Sequence, residues 1–286
     1  MSLLNVQGLQ KIYDSFQLKD ISFSLPKGFI MGYIGENGAG KTTTLNLITH
    51  LCHADSGTIS IDGLQYETDP KKYIEQIGFI GDQSYFPGEF RLKDIRFLLK
   101  LMYPSFQKDK FDAMAANWKL PEKTKIQDYS RGMKVKLMFA SVLSRDTKLL
   151  ILDEATNGLD PVMRAEIIDM LQDYIMDGER SILFSTHVLS DLEQIADYIV
   201  LIHKGKILLN QTKEELLENY VIVHGALSDL TEAKKEKMIG IIEAAYGFDA
   251  LLSSADAEGL GQEFVIEKAS IDQIMIHIIK NGGNLE

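Results

Sequence analysis

The chain is short of cysteine, of positive charge and of long apolar runs, and each shortage excludes something. It has one cysteine, Cys52, among 286 residues. An internal disulfide is therefore excluded, which agrees with a reducing compartment. No apolar stretch reaches the length of about 18 residues that a membrane-crossing helix needs. The first residues, Met1 to Gln7, lack a basic region and a long apolar core, so no signal peptide is expected. Lys and Arg number 30 against 41 Asp and Glu, a net charge of −11. That balance argues against broad nucleic-acid binding, which depends on neutralising phosphates. The deficit is uneven, with 14 acidic and 6 basic side chains in residues 211–286. The two ends of the chain are thus expected to carry different surfaces. Internal repeats and low-complexity segments are also missing. The rest is ordinary: 45% hydrophobic and 25% charged residues, as in a globular protein of one large domain, or a large and a small one.

The most informative stretch runs from Gly35 through Glu36, Asn37, Gly38, Ala39, Gly40 and Lys41 to Thr42. It satisfies G-x-x-x-x-G-K-[ST] in full. The glycines allow backbone N–H groups to turn inward around phosphates. Lys41 reaches the β- and γ-phosphates as a point charge, and the Thr42 hydroxyl suits Mg²⁺. An apolar run, Lys27 to Ile34, reads as a buried strand before the loop, and Thr43 to Leu51 reads as a helix after it. That helix would place the positive end of its dipole beneath the phosphates.

Around the loop, residues 1–25 alternate apolar and polar positions and predict an antiparallel hairpin or small sheet. Short strands are expected at Thr58–Gly63 and Ile77–Ile80. Residues 91–143 carry apolar side chains at helical spacing and predict a helical subdomain, with boundaries near 84 and 143. Strands return at Leu149–Leu152, Ser181–Ser185 and Tyr198–Ile202, separated by helices at Val162–Met176 and Leu189–Ala196. Strands alternating with helices predict an α/β fold with a mainly parallel sheet. Residues 1–220 form the larger expected domain. Residues 221–286 are expected to form a small α/β module, with strands at Val221–Val223 and Phe264–Ile266 and helices at Glu232–Ala245 and Ile271–Ile279.

Leu149–Leu152 runs into Asp153 and Glu154. At a strand end, Asp153 is placed to hold Mg²⁺ and Glu154 to orient an attacking water. Phosphoryl transfer needs both, because it is driven by positioning and charge stabilisation. With the phosphate loop, these residues make residues 1–215 similar to the ATP-binding subunit of an ABC transporter. The order of motifs agrees. Tyr129-Ser130-Arg131-Gly132-Met133 resembles the family signature loop Leu-Ser-Gly-Gly-Gln, keeping Ser130 and Gly132 and replacing the other three positions.

The resemblance implies further roles. Gln83 matches the family's glutamine loop, which ligates Mg²⁺ and senses the γ-phosphate. Asp160, in Asn157-Gly158-Leu159-Asp160, matches the loop through which two subunits meet. His187, in Ser185-Thr186-His187, matches the switch histidine. Tyr13, 28 residues before Lys41, occupies the place of an aromatic that stacks on adenine. Gly35, Asn37, Gly38, Gly40, Lys41, Thr42 and Thr43 form the nucleotide cradle. The implied cofactors are ATP and Mg²⁺.

The implied assembly is a head-to-tail homodimer, or a heterodimer with another ATPase subunit. In it Ser130 and Gly132 of one chain close over ATP held by the other. A separate integral membrane subunit would receive the work, with this chain peripheral on the cytoplasmic face of a bacterial membrane. The form of the signature loop resembles that of exporters of drugs, peptides or lipids. The alternative is an ABC-type ATPase acting on ribosomes or DNA, and a third reading is a nucleotide sensor without hydrolysis. Tyr85, Phe86 and Phe90 either mark a docking groove for the membrane partner or fill the helical core. His50, Cys52 and His53 are not read as a zinc site, since no fourth ligand is evident.

Overall fold

The computed structural model describes residues 2–283. The chain opens with β1 (Ser2–Tyr13), β2 (Phe16–Pro26) and β3 (Ile30–Ile34), then α1 (Lys41–Ile48) and β4 (Ser56–Ile61). Next come α2 (Pro70–Glu75), β5 (Ile77–Ile80), α3 (Leu92–Met102), α4 (Lys108–Asn117) and α5 (Arg131–Leu143). The second half of the core is β6 (Leu149–Asp153), α6 (Pro161–Ile175), β7 (Ser181–Ser185), α7 (Leu189–Ile195), β8 (Tyr198–His203) and β9 (Lys206–Thr212). The remainder is α8 (Lys213–Asn219), β10 (Tyr220–Gly225), α9 (Glu232–Lys235), β11 (Ile239–Ala244), β12 (Gly247–Ser253), α10 (Ser254–Ala257), β13 (Val265–Lys268) and α11 (Ile271–Lys280).

Six strands form the central sheet in the order β5-β6-β7-β3-β8-β9. All pairs are parallel except β8 with β9. β3 and β7 are buried along their whole length, which is why they read as continuous apolar runs rather than alternating ones. A three-stranded antiparallel sheet, β2-β1-β4, covers one face. Its inward side chains, among them Leu4, Val6, Leu9, Ile21 and Phe23, share a core with Tyr33, Leu45, Leu149 and Val200. The opposite face is covered by helices. Leu92, Ile95 and Leu99 of α3 and Phe111 of α4 pack with α5 against Ile80, Leu150 and Leu152. α5 is buried through Val135 and Leu137–Leu143, because helices lie on one side of it and the sheet on the other.

The third sheet, β11-β12-β10-β13, is antiparallel. Its inner face packs under α11, whose Ile271, Ile274 and Ile278 join the core cluster that contains Leu192 and Ile195 of α7. The predicted helix Glu232–Ala245 is a correction. Only α9 is helical there, and the rest is the β11–β12 hairpin turning at Ala245 and Tyr246. Three β-branched isoleucines, Ile239, Ile241 and Ile242, favour the strand. Gly240 is decisive: its φ is +59°, and a Cβ would lie 1.8 Å from the His277 carbonyl oxygen. The backbone of α11 therefore rests directly on β11 at this glycine.

Candidate nucleotide-hydrolysis site

Ligands in open α/β sheets sit at the carboxyl ends of the strands, and the chemistry-bearing residues collect there. The loop from Gly35 to Gly40 joins the end of β3 to the start of α1. Gly35 lies so close to β8 that a Cβ would stand 2.2 Å from the Ile202 carbonyl oxygen. Gly40, the α1 N-cap, has φ +115° and leaves room for Phe16 and Leu18. Lys41 is 7% exposed, and its ammonium donates to the Gly35 and Glu36 carbonyls at 2.8 and 3.2 Å. Burial pushes its pKa down, against the pull of Glu154, Asp153 and Glu36.

Thr42 and Asp153 meet across the sheet end, with the hydroxyl donating to Asp153 Oδ2 at 3.2 Å. Burial raises the Asp153 pKa, opposed by that hydrogen bond. Its other oxygen, Oδ1, is buried without a well-aligned hydrogen-bond partner, although the Ser185 hydroxyl also opposes the rise in pKa. Glu154 follows with φ +58°, a conformation rare for a non-glycine residue. Its backbone N–H donates to Ser185 O at 2.9 Å, tying the end of β6 to β7. Two hydrogen bonds hold its carboxylate through Oε2, and an ion-pair contact approaches Oε1. Asn157 Nδ2 donates at 2.7 Å and the His187 backbone N–H at 3.1 Å, while His187 Nε2 lies 2.9 Å from Oε1.

A pocket of about 550 Å³ is lined by Ser15, Phe16, Asn37, Gly38, Gly40, Lys41, Thr42, Thr43, Glu154 and His187. Side chains from three strand ends and the phosphate loop thus converge. Tyr13 does not line it. Its hydroxyl points to Cys52 Sγ at 4.0 Å, and Phe16, three residues on, borders the pocket instead. Gln83 is exposed and faces a separate hollow with Asp82, Ser84 and Arg131. Ser130 caps α5 by accepting from Met133 N at 3.2 Å. Gly132 lies against Met163, where a Cβ would meet Sδ at 2.7 Å. Asp160 caps α6 by accepting from Met163 N at 3.0 Å. Ser130, Gly132 and Asp160 all lie outside the pocket that holds Lys41. The Asn157 bond to Glu154 and the Phe16 wall were not expected from sequence. The first depends on the turn after β6, and the second only on an aromatic at the start of β2.

His50 stacks on Tyr66 with ring centroids 3.6 Å apart and meets Tyr73 edge-on. On the helical side a groove of about 500 Å³ is lined by Leu51, Phe79, Tyr85, Phe86, Met102 and Arg145, among others. The three aromatics divide: Tyr85 is 50% exposed, Phe86 is buried and Phe90 packs on the core.

Strand, glycine loop, helix, and a carboxylate pair at the end of β6, with β7 between it and β3, define a P-loop nucleotide-binding ATPase. Comparisons with known proteins narrow this. The ABC transporter family model matches residues 18–157. The ABC transporter ATP-binding protein YtrB of Bacillus subtilis (strain 168) is 30% identical over 259 residues, 90% of this chain and 88% of its own. The bacitracin transport ATP-binding protein BcrA of Bacillus licheniformis is 31% identical, covering 72% of this chain and 69% of its own. A solved ATP-binding subunit of an ABC transporter superposes with a TM-score of 0.69 at 27% identity, covering 75% of this chain and 92% of that one. The chain belongs to the ABC transporter ATP-binding family. It is an ATP-binding, ATP-hydrolysing subunit that powers transport. Action on ribosomes or DNA is not favoured. Among the described residues no helix is long and apolar enough to cross a membrane.

Proposed function

We propose that this chain hydrolyses MgATP at a site shared between two ATPase subunits in head-to-tail contact. Thr42 and Asp153 would hold Mg²⁺, whereas Gln83, the third ligand that the sequence resemblance implies, faces a separate hollow. The buried Oδ1 of Asp153 beside the Thr42 hydroxyl supports this, since an oxygen-only donor set suits that ion. The ion supplies charge neutralisation for the leaving phosphates. Lys41 and the N–H groups of residues 35–43 bind the β- and γ-phosphates. Glu154, fixed by Asn157 and His187, orients the attacking water, and His187 contacts the γ-phosphate. Phe16, with Tyr13 as the sequence alternative, stacks on the base. Ser130 and Gly132 of the opposing subunit close the site, and Asp160 contacts that subunit beside it.

The observation that carries this reading is the split placement of the motifs. Lys41, Thr42, Glu154 and His187 line one pocket, whereas Ser130 is exposed elsewhere on the same chain. A γ-phosphate donor so placed supports action on a neighbouring chain's nucleotide. The exposed apolar groove under Leu51, Tyr85 and Met102 supports docking on a membrane subunit there, with the chain on the cytoplasmic side of a bacterial membrane. Residues 1–220 act as the ATPase domain, with 84–143 as its helical subdomain and 221–286 as an accessory module. Similarity to a bacitracin transport subunit supports export of a drug, peptide or lipid.

Mixing two inactive chains tests the shared site. Lys41→Ala removes the phosphate jaw, and Ser130→Arg blocks the opposing one. Mixed dimers contain one intact site, so activity is expected to return to roughly a quarter of wild type at equal mixing. Failure to recover any activity, with both variants folded, overturns the shared site.

A further inference from the structure

His203 ends β8 directly beneath the phosphate-binding loop and is 5% exposed. Its Nδ1 lies 2.8 Å from Oε1 of Glu36, the second residue of that loop. Neither ring nitrogen makes a well-aligned hydrogen bond, so the close approach to the Glu36 carboxylate is its one ion-pair contact among the described residues. Glu36 in turn bears on the loop's working parts. Its carbonyl accepts from Lys41 Nζ at 3.2 Å and from Ala39 N at 3.1 Å. The β8–β9 turn fixes the same loop from below, with Gly205 N donating to Ala39 O at 2.9 Å.

The other side of the imidazole is covered by the far end of the chain. Gly283 follows α11, and its N–H donates to Ile278 O at 3.0 Å. A Cβ on Gly283 would lie 3.6 Å from His203 Cδ2 and about 3 Å from the methyls of Leu208 on β9 (3.0 and 3.1 Å). The C-terminal module therefore touches the histidine that touches the phosphate loop.

We propose that His203 is a positioning residue for ATP, holding the Glu36 carboxylate on the floor of the phosphate loop, and that the turn at Gly283 holds His203 in place. The inference rests on Gly35–Thr43 being the ATP cradle. Glu36 is an anion in a loop built to receive anions. Pinned to His203, it leaves Lys41 and the backbone N–H groups to the phosphates. Released, the carboxylate can compete for Lys41 and repel the γ-phosphate. This gives residues 221–286 a route to ATP affinity without a ligand site of their own.

Steady-state ATPase measurements on the full chain, with ATP as the varied ligand, test this. His203→Gln keeps a polar side chain of similar size but removes the imidazole nitrogen that faces Glu36. It is expected to raise KM for ATP about fivefold, the order expected for one like charge released at several ångströms in a partly hydrated site, with kcat held within about twofold. Glu36→Gln in the same chain is expected to restore KM, because the charge that needed holding is gone. A merely structural histidine predicts no such rescue. Gly283→Val, which crowds Leu208 and the ring, is expected to raise KM in the same direction but to add little to His203→Gln. An unchanged KM in His203→Gln, or a raised KM that Glu36→Gln leaves in place, overturns the role of His203. No effect of Gly283→Val, or full additivity with His203→Gln, overturns the role of the turn. Lys41→Ala separates the two readings: if it binds ATP as wild type does, the cradle itself is misassigned.

Discussion

Gly35 and Gly38 belong to one loop, yet they are glycines for different reasons, and substitution by alanine separates them. At Gly35 the constraint is contact. An added Cβ would sit 2.2 Å from the Ile202 carbonyl oxygen, more than 1 Å inside ordinary van der Waals separation. That carbonyl belongs to β8, which is paired on both sides, by β3 and β9, so the loop must move instead. Overpacking of this kind costs about 3 kcal/mol. At Gly38 a Cβ would meet nothing within 4 Å, and the cost is only that of holding alanine at φ +79°, about 1–2 kcal/mol. For a domain of this size roughly 2 °C of melting temperature accompanies each kcal/mol. Gly35→Ala is thus expected to melt about 6 °C below wild type and Gly38→Ala about 2–4 °C below. The displaced loop also moves the Gly35 carbonyl that receives Lys41, so Gly35→Ala should lose at least about tenfold in ATP affinity, or 1.4 kcal/mol. Calorimetry and a fluorescent ATP analogue measure both. Equal melting shifts, or wild-type ATP affinity in Gly35→Ala, would refute the packing argument.

Other expectations follow from neighbouring contacts. Asn157→Ala removes the 2.7 Å hydrogen bond that steadies Glu154, and kcat is expected to fall about tenfold with KM nearly unchanged. Asp62 bridges Lys148 and Lys27 at 2.7 and 2.9 Å, and these ammonium groups hold its carboxyl below the usual value of 3.8. The depressed pKa means stability that is present above pH 3.8 and is lost as pH falls through the folded-state value. Asp62→Asn should therefore cost about 1 kcal/mol at neutral pH and nothing below both pKa values, as read by denaturant melts across pH. Leu51 is 71% exposed at the rim of the helical-side groove. Leu51→Asp is expected to leave the isolated chain's melting temperature and ATPase rate unchanged while abolishing copurification with the membrane subunit. Retained copurification removes the docking assignment.

Much of the core was legible because its signals are local. The strands at Ile77, Leu149, Ser181 and Tyr198 are unbroken apolar runs, which parallel sheets buried on both faces produce. The phosphate loop declares itself through spacing alone. The C-terminal module was legible only in part. Glu232 to Lys237 favours a helix locally, but the chain beyond it is governed by contact with α11, through Gly240 and the His277 carbonyl. No window of sequence contains that contact. Tyr13 and Phe16 show the same limit at the site. Both are aromatics beside the first turn, and only the antiparallel register of β1 with β2, Tyr13 opposite Phe16, decides which borders the pocket. The linkage between His203 and Glu36 spans most of the ATPase core and has no sequence signal.

The shared-site account rests on Glu154 as the group that activates water. Glu154→Gln keeps the size of the side chain and the contacts to Asn157 and His187 but cannot act on water as a base. Size-exclusion chromatography of this variant with MgATP tests the account directly. The prediction is a stable ATP-bound dimer with turnover reduced at least about a hundredfold. A variant that still turns over ATP, or one that is inactive yet stays monomeric with ATP bound, would contradict it.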